Sequence, residues 1–98
     1  MEFDINYNYS TSFSSIRYYD GSTGKTSWDM LNELGLISGN WYHIKLERNG
    51  NTITPTVDGV TLTNRAKTFT GSINKFSIIT DNTKCTNIKY KNFIFYSI

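Results

Sequence analysis

The sequence is short of several residue types, and each shortage excludes a class of protein. A single cysteine, Cys85, among 98 residues excludes a disulfide framework or a thiolate-rich metal site within the chain, so packing must supply the stability. Charged residues make up only 18%, which excludes coiled coils and highly charged disordered tails. No apolar run approaches the roughly 18 residues of a transmembrane helix, so we expect no membrane insertion. The formal net charge of +2 does not require a polyanionic partner, and we expect no binding of nucleic acid.

The residue types that are abundant favour strands. Eleven Ile, thirteen Thr, seven Tyr and six Phe stand against one Ala and five Leu. β-Branched and aromatic side chains pack well on a pleated surface and lose rotamer freedom in a helix. The composition therefore predicts an all-β protein, and a length of 98 residues fits one domain, residues 1–98, with a single core.

Two extended segments open the chain. In Glu2–Tyr9, apolar residues at positions 3, 5, 7 and 9 alternate with polar ones, which is the period-2 pattern of a half-buried strand. A Ser/Thr cluster at 10–12 leads to a second extended run, Phe13–Tyr19. Residues 20–27 contain two glycines and no aliphatic residue, so they are predicted to form an exposed loop.

Residues 27–35 allow two interpretations. An N-cap serine at Ser27 and a C′ glycine at Gly35 would bracket two helical turns. An irregular strand accounts for the same residues, and the sequence leaves both interpretations open.

The segment from Trp41 to Thr63 carries the most informative pattern. Inward positions 42, 44 and 46 alternate with Trp41, His43, Lys45 and Glu47 until Asn49-Gly50 supplies a turn. A second turn signal, Asp58-Gly59, follows nine residues later, which leaves strands of about seven residues and predicts a three-stranded antiparallel meander. Pro55 cannot donate to a ladder and is expected at an edge or a bulge.

Two more strands are predicted after a polar link at 64–70, at Ile73–Thr80 and Thr86–Ile98. The last strand carries apolar residues on both faces, as expected for a strand that is covered from both sides. The inward positions of the strands predict a core that includes Ile44, Leu46, Ile53, Val57, Ile78 and Phe95.

The segment Trp41–Gly50, followed by Val57-Asp58-Gly59, resembles the central hairpin of concanavalin A-like jelly rolls, which include laminin-G-like domains and many carbohydrate-binding modules. In that family a tryptophan often opens the strand, an Arg precedes an Asn-Gly or Asp-Gly turn, and Val-Asp-Gly forms the next turn. Residues 88–96 resemble the closing strand of the family, and Glu2–Ile5 an early one. The resemblance implies an antiparallel β-sandwich of jelly-roll type and carbohydrate as the ligand class. Family domains are commonly longer, which leaves open whether this is a whole or a truncated domain.

The sequence offers no complete catalytic or metal-binding set. Glu2 and Asp4 match two positions of the Glu-x-Asp-x-x-Glu strand motif of laminarinase-type glucanases, which share the jelly-roll fold, but Tyr7 stands at the third. Retaining hydrolysis needs two carboxyl groups about 5 Å apart, so the acid/base is missing. His43 is the only histidine and lacks fellow ligands for zinc. We therefore expect no enzymatic activity, no metal site and no cofactor.

The predicted ligand site combines Asp4, Asn6, Arg17, Tyr19 and Trp28. Sugars stack their C–H faces on aromatic rings and bond their hydroxyls to Asn, Asp and Arg, so this combination suits a glycan. Alternation places Asp4 and Asn6 on one face of a strand, and Arg17 and Tyr19 on one face of another, but the sequence does not determine whether the two pairs meet. Trp28 either belongs to the site or folds back into the core with its N–H on a carbonyl.

Basic residues gather near the last strand at Lys84, Lys89 and Lys91, with aromatic residues close by. Interleaved basic and aromatic residues can bind single-stranded nucleic acid. Lysines on edge strands also prevent edge-to-edge aggregation, and we expect this second role here.

The sequence therefore predicts a non-catalytic recognition module that binds carbohydrate, and a purely structural spacer without a ligand is the alternative. The strand pattern begins at residue 2 without the layout of a signal peptide, which favours a domain cut from a longer protein over a cytosolic chain. We expect the parent to be a cell-surface or phage-associated protein, exposed outside the cell or on the virion, with flanking domains as partners.

Overall fold

A computed structural model of the chain describes residues 1–9, 14–20, 24–73, 75–80 and 85–94. Strands account for most of these residues: β1 Glu2–Tyr9, β2 Ser14–Asp20, β3 Gly24–Asp29, β4 Trp41–Asn49, β5 Thr52–Val57, β6 Val60–Thr61, β7 Lys67–Thr68, β8 Lys75–Thr80 and β9 Cys85–Ile94. A short 3-10 helix covers Thr63–Arg65. No helix in these ranges has the length and apolar character needed to cross a membrane.

The strands form two antiparallel sheets that pack against each other, which confirms the all-β sandwich. Sheet A has the strand order β6-β5-β4-β1-β9, with β7 also paired to β5, and sheet B has the order β3-β2-β8. Side chains from both sheets, and from the segments between strands, bury one shared core: Phe3, Ile5, Ile16, Tyr18, Trp28, Met30, Leu34, Leu36, Ile44, Leu46, Ile53 and Phe69.

Strand alternation determines which side chains enter this core. Phe3 and Ile5 of β1 are buried, so Asp4 between them lies on the outer face of sheet A. Ile16 and Tyr18 of β2 are buried, so Arg17 lies on the outer face of sheet B. The two outer faces look in opposite directions because the sheets pack through their inner faces.

The predicted meander from Trp41 to Thr63 is confirmed. β4 pairs with β5 and β5 pairs with β6, in sequence order. Gly50, Asp58 and Gly59 have positive φ, as the two turn signals require. Pro55 lies between the parts of β5 that pair with β6 and β7, and its carbonyl accepts the N–H of Leu62, so the position without an N–H faces the sheet edge as expected.

The other predicted strands correspond to β1, β2, β8 and β9, with ends shifted by a few residues. Among the predicted core residues, Ile44, Leu46 and Ile53 are at most 2% exposed. Val57 and Ile78 are half-buried and pack against the core from its margin. Phe95 lies outside the described residues.

The prediction of an exposed loop at residues 20–27 is wrong for the residues that the structure describes. Asp20 ends β2. Residues 24–27 belong to β3, which pairs with β2 at the edge of sheet B. A polar segment can form an edge strand because backbone hydrogen bonds to one neighbour suffice there. Residues 21–23 lie outside the described residues.

Residues 27–35 match the two predicted elements only in part: residues 27–29 complete β3, which agrees with the strand interpretation, and residues 30–34 form a turn. Trp28 pairs with Ile16 as β3 ends, so no helix can begin at Ser27. Asp29 caps the tight turn that follows, because its Oδ1 accepts the N–H groups of Leu31 (2.9 Å) and residue 32 (2.8 Å). Gly35 closes the turn at φ 72°, in agreement with the glycine expected there.

The expectation that the last strand is covered from both sides is wrong for its described part. β9 is an edge strand of sheet A, and sheet B covers only one face of that sheet. Ile94 pairs with Glu2, shares its outer face and is 46% exposed. Phe93 stacks on Phe3 on the inner side but is 39% exposed at this edge. Residues 95–98 lie outside the described residues.

Candidate functional site

The structure does not bring the five predicted site residues together. Asp4 and Asn6 lie on the outer face of sheet A, whereas Arg17 and Tyr19 lie on the outer face of sheet B. The two pairs are on opposite sides of the sandwich because β1 and β2 belong to different sheets. The predicted ligand site, which combined all five residues, therefore does not form as one surface.

Trp28 belongs to the core and not to a surface site. Its side chain is fully buried, and its Nε1–H donates to the carbonyl oxygen of Arg65 at 2.7 Å. The ring meets Tyr18 edge to face at 6.2 Å between centroids. Of the two roles left open by the sequence, the structure supports the core role.

Arg17 and Tyr19 form a small cluster of their own on sheet B. Nη1 of Arg17 donates to the Tyr19 hydroxyl at 3.4 Å, and Nζ of Lys75 lies 5.1 Å from the centre of the Tyr19 ring. The ring is half-buried. Asp4 and Asn6, which were expected to complete a glycan site, lie on the other sheet and do not belong to this cluster.

Asp4 and Asn6 gain a different aromatic partner, Trp41. The pairing of β1 with β4 places Asn6 opposite Trp41 and Asp4 opposite His43. The pairing of β1 with β9 places Lys89 opposite Asn6 and Lys91 opposite Asp4. Each of these two rows of paired residues across the sheet therefore contains one lysine. We call this surface the Trp41 face, and it consists of Asp4, Asn6, Trp41, His43, Lys89 and Lys91.

The indole ring is the most prominent part of this face. Trp41 is 43% exposed, and Nζ of Lys91 lies 4.3 Å from the centre of its ring. A cation–π contact of this kind contributes about 0.5–1 kcal/mol at an exposed site. Beside the ring, Nδ2 of Asn6 donates to the carbonyl oxygen of Gly39 at 3.2 Å, which holds the amide in place.

His43 lies between two carboxylates in the centre of the sheet. Its Nδ1 is 2.6 Å from Oδ1 of Asp4, and its Nε2 is 2.7 Å from Oε2 of Glu2. A neutral imidazole has one N–H and can donate to only one carboxylate, whereas the imidazolium donates to both. The hydrogen bonds to Asp4 and then to Glu2 raise the pKa of His43 above its ordinary 6.5.

Asp4 is held from both sides. Its Oδ2 accepts a hydrogen bond from Nδ2 of Asn92 at 2.8 Å, while Oδ1 faces His43. The hydrogen bonds from Asn92 and then His43 lower the pKa of Asp4. We therefore assign Asp4 a positioning role within the face, because both of its oxygens already accept protein hydrogen bonds.

The arrangement suits binding through stacking and hydrogen bonds. An exposed ring, a fixed amide and flexible ammonium groups lie on one open sheet surface. The two ring nitrogens of His43 face different carboxylates, those of Asp4 and Glu2. The imidazole and the two carboxylates therefore do not converge on one point where a ligand atom could bind. Within the described ranges, no group of three His, Cys, Asp or Glu side chains is arranged to hold a metal ion.

Comparison of the chain with protein-family models, curated proteins and solved structures gives no match, so these comparisons do not identify a concanavalin A-like domain. The assignment of the site depends on the geometry alone. Sequence reasoning recognised that Trp41 alternates with the polar residues of its strand but did not include it in the site. The parity of Trp41 with His43 was the signal available, and the pairing of β4 with β1 was the information that was lacking.

Proposed function

We propose that this protein is a non-catalytic recognition module that binds carbohydrate on the Trp41 face. The observation that carries the proposal is the exposed indole ring of Trp41 beside Asn6 on an open face of sheet A. Apolar C–H faces of a pyranose ring stack on such an indole, and ring hydroxyls bond to neighbouring amide groups. The loss of Trp28 from the predicted site is thereby offset by another tryptophan on the same face as Asp4 and Asn6.

The carboxylates of this face support a binding role more than a catalytic one. Glu2 and Asp4 both bond to His43, which stands between them as a shared partner. A retaining glycosidase needs one carboxylic acid and one carboxylate that act on the same bond. Here the two groups instead hold one imidazolium and connect β1 to β4.

The relation to concanavalin A-like jelly rolls is part of this proposal. The two antiparallel sheets and the meander of β4, β5 and β6 are consistent with it. Fold analogy by itself does not determine function on so widely used a scaffold. We further propose that the module serves a larger cell-surface or phage-associated protein, outside the cell or on the virion, where glycans are accessible.

A glycan array followed by calorimetric titration of the selected sugar tests the proposal. We expect binding by the wild-type chain and a loss of at least about tenfold in affinity on Trp41→Ala, because a central tryptophan commonly dominates such a contact. Since Trp41 is outward and exposed, the thermal unfolding midpoint of the variant should stay close to that of the wild type.

The matched control is Tyr19→Ala, which removes an aromatic ring from the outer face of the opposite sheet. It should leave glycan affinity unchanged. Absence of binding to every glycan on the array would contradict the proposal and support the spacer role. Equal losses from the Trp41 and Tyr19 variants would place the binding surface elsewhere.

A further inference from the structure

The Trp41 face carries two lysines next to its ring. Lys89 and Lys91 pair with Asn6 and Asp4 in neighbouring rows, so their Cα atoms are about 7 Å apart along the strand. Both side chains are exposed, and that of Lys91 reaches over the indole of Trp41. The ammonium group of Lys91 therefore lies at the ring, and Lys89 stands in the neighbouring row on the same face of the sheet.

Neither lysine forms a salt bridge with a carboxylate within the part of the chain that the structure describes. Lys45 and Lys67 form salt bridges with glutamates at 3.6 and 2.6 Å, but neither Lys89 nor Lys91 has such a partner within 4.0 Å. Asp4, opposite Lys91 in the pairing, already accepts hydrogen bonds from His43 and Asn92. The charge of Lys91 contributes to the lowered pKa of Asp4, but as the smallest of its causes, and no salt bridge joins the two side chains. The ammonium group beside Trp41 can therefore still pair with an anionic ligand.

A sugar that stacks on the indole face covered by Lys91 must displace the ammonium group of that lysine. A neutral sugar displaces the ammonium group from the ring and offers it no charged partner. A sugar with a carboxylate or sulfate beside the pyranose ring gives the displaced ammonium a charge-assisted hydrogen bond instead. The ring face becomes accessible and the lysine remains paired.

We propose that the ligand of the Trp41 face is an acidic glycan, whose carboxylate or sulfate binds Lys89 and Lys91 while a pyranose ring stacks on Trp41. This inference rests on the proposed carbohydrate-binding function and specifies its ligand class. It also assigns the two lysines a role beyond the protection of an edge strand.

The test compares neutral oligosaccharides with their carboxylated and sulfated counterparts on one array, followed by titration of the best matched set. At low salt we expect the acidic forms to bind about twofold to thirtyfold more tightly than the neutral form, the range for two exposed ion pairs. The advantage should shrink when NaCl rises from about 0.05 to about 0.5 M, because salt screens exposed charges.

Variants separate the two contributions. The double variant Lys89→Gln/Lys91→Gln should bind acidic and neutral forms equally, whereas Trp41→Ala should weaken both. Lys75→Gln, which removes a lysine that lies over a ring on sheet B, is the matched control and should bind as the wild type does. All of these side chains are exposed or half-buried, and thermal unfolding verifies that each variant folds.

The outcomes distinguish failure of this inference from failure of the proposed function. Equal affinity for acidic and neutral forms, with binding that still requires Trp41, would overturn the acidic ligand and retain the carbohydrate-binding function. Absence of binding to all glycans would overturn both. Tighter binding of inorganic sulfate alone, or of a single-stranded oligonucleotide, than of every acidic glycan would overturn the inference in favour of a general anion site.

Discussion

At the scale of single residues, His43 shows how neighbours determine the charge of a side chain. A lone histidine among alternating polar residues is ordinarily a surface residue without a special role. The side chain of His43 is 44% exposed, yet both of its nitrogens face carboxylates at 2.6 and 2.7 Å. The residue thereby connects β1 to β4, and it donates to both carboxylates when it is protonated.

We expect the free energy of unfolding to decrease as the pH rises through the pKa of His43. This pKa is higher in the folded chain than its ordinary 6.5, so the folded state holds the proton more tightly. The stabilisation is therefore complete below pH 6.5 and is lost above the raised pKa. Because solvent screens an imidazole this exposed, the change should be on the order of 1 kcal/mol or less.

Urea denaturation of the wild type and of His43→Gln from about pH 5 to about pH 9 measures this effect, since the range spans the histidine titration. The difference in stability between the two should diminish at the alkaline end. A difference that does not depend on pH would contradict the stabilisation by protonated His43.

Asp4 contributes in the acidic range of pH. Its pKa is lowered in the folded chain, so its stabilisation is present above pH 3.8 and is lost as the pH falls through the folded pKa.

At the scale of elements, turns and bulges determine which side chains meet. The register of β9 against β1 shifts between the partners of Glu2 and Asp4, and Asn92 has φ 60° at that point. The extra residue lets Asn92 contact Asp4 on the outer face that its neighbour Lys91 already occupies by alternation. One irregularity in an edge strand thus supplies one contact of the candidate site.

The turn between β5 and β6 offers a direct test at this scale. Gly59 has φ 81°, and a Cβ there would meet nothing within 4 Å, so only backbone strain opposes a side chain. We expect Gly59→Ala to lower the free energy of unfolding by about 1 kcal/mol, measured by urea denaturation.

The matched variant is Gly59→Asn, which should cost less because asparagine tolerates positive φ more readily. Equal costs would contradict backbone strain at the positive φ as the cause. The same turn holds β4 at the candidate site, since the N–H of His43 donates to Oδ1 of Asp58 at 2.7 Å.

At the scale of the whole molecule, two sheets of unequal size share one core. Sheet B has three strands and covers the inner face of sheet A, and among the described strands none packs on the outer face of sheet A, where Trp41 is 43% exposed. Segments between strands close the core with Met30, Leu34, Leu36 and Phe69, all buried. The Trp41 face is therefore the uncovered side of a sheet whose other side is the core.

Leu46→Ala tests the shared core. Leu46 is 2% exposed, and its truncation should lower the free energy of unfolding by about 2–5 kcal/mol. The control Val60→Ala, at a position 62% exposed, should change it by less than about 0.5 kcal/mol. Both should be measured by urea denaturation with two probes, tryptophan fluorescence and far-UV circular dichroism.

Because the core is common to both sheets, the two probes should report the same transition in every variant. Separate transitions would show that the sheets unfold independently. A loss below about 1 kcal/mol for Leu46→Ala would contradict its place in the core.

The sequence by itself determined the local features of this protein. Alternation identified β1, β2 and β4 as strands and showed which residues of each share a face, because successive side chains of a strand point to opposite sides. Asn49-Gly50 and Asp58-Gly59 located two turns, because few residues tolerate positive φ. These features depend on residues close together in the chain.

Only the tertiary structure decided which strands are neighbours, and with them the candidate site. Alternation shows on which face of its own strand each of Asn6 and Trp41 lies. No pattern within either segment of sequence indicates that β4 pairs with β1. Trp28 is buried because Tyr18 of β2 and the chain near Arg65 pack against it. Trp41 is exposed because sheet B covers the other face of its strand. Both outcomes depend on contacts between residues far apart in sequence, which periodicity does not encode.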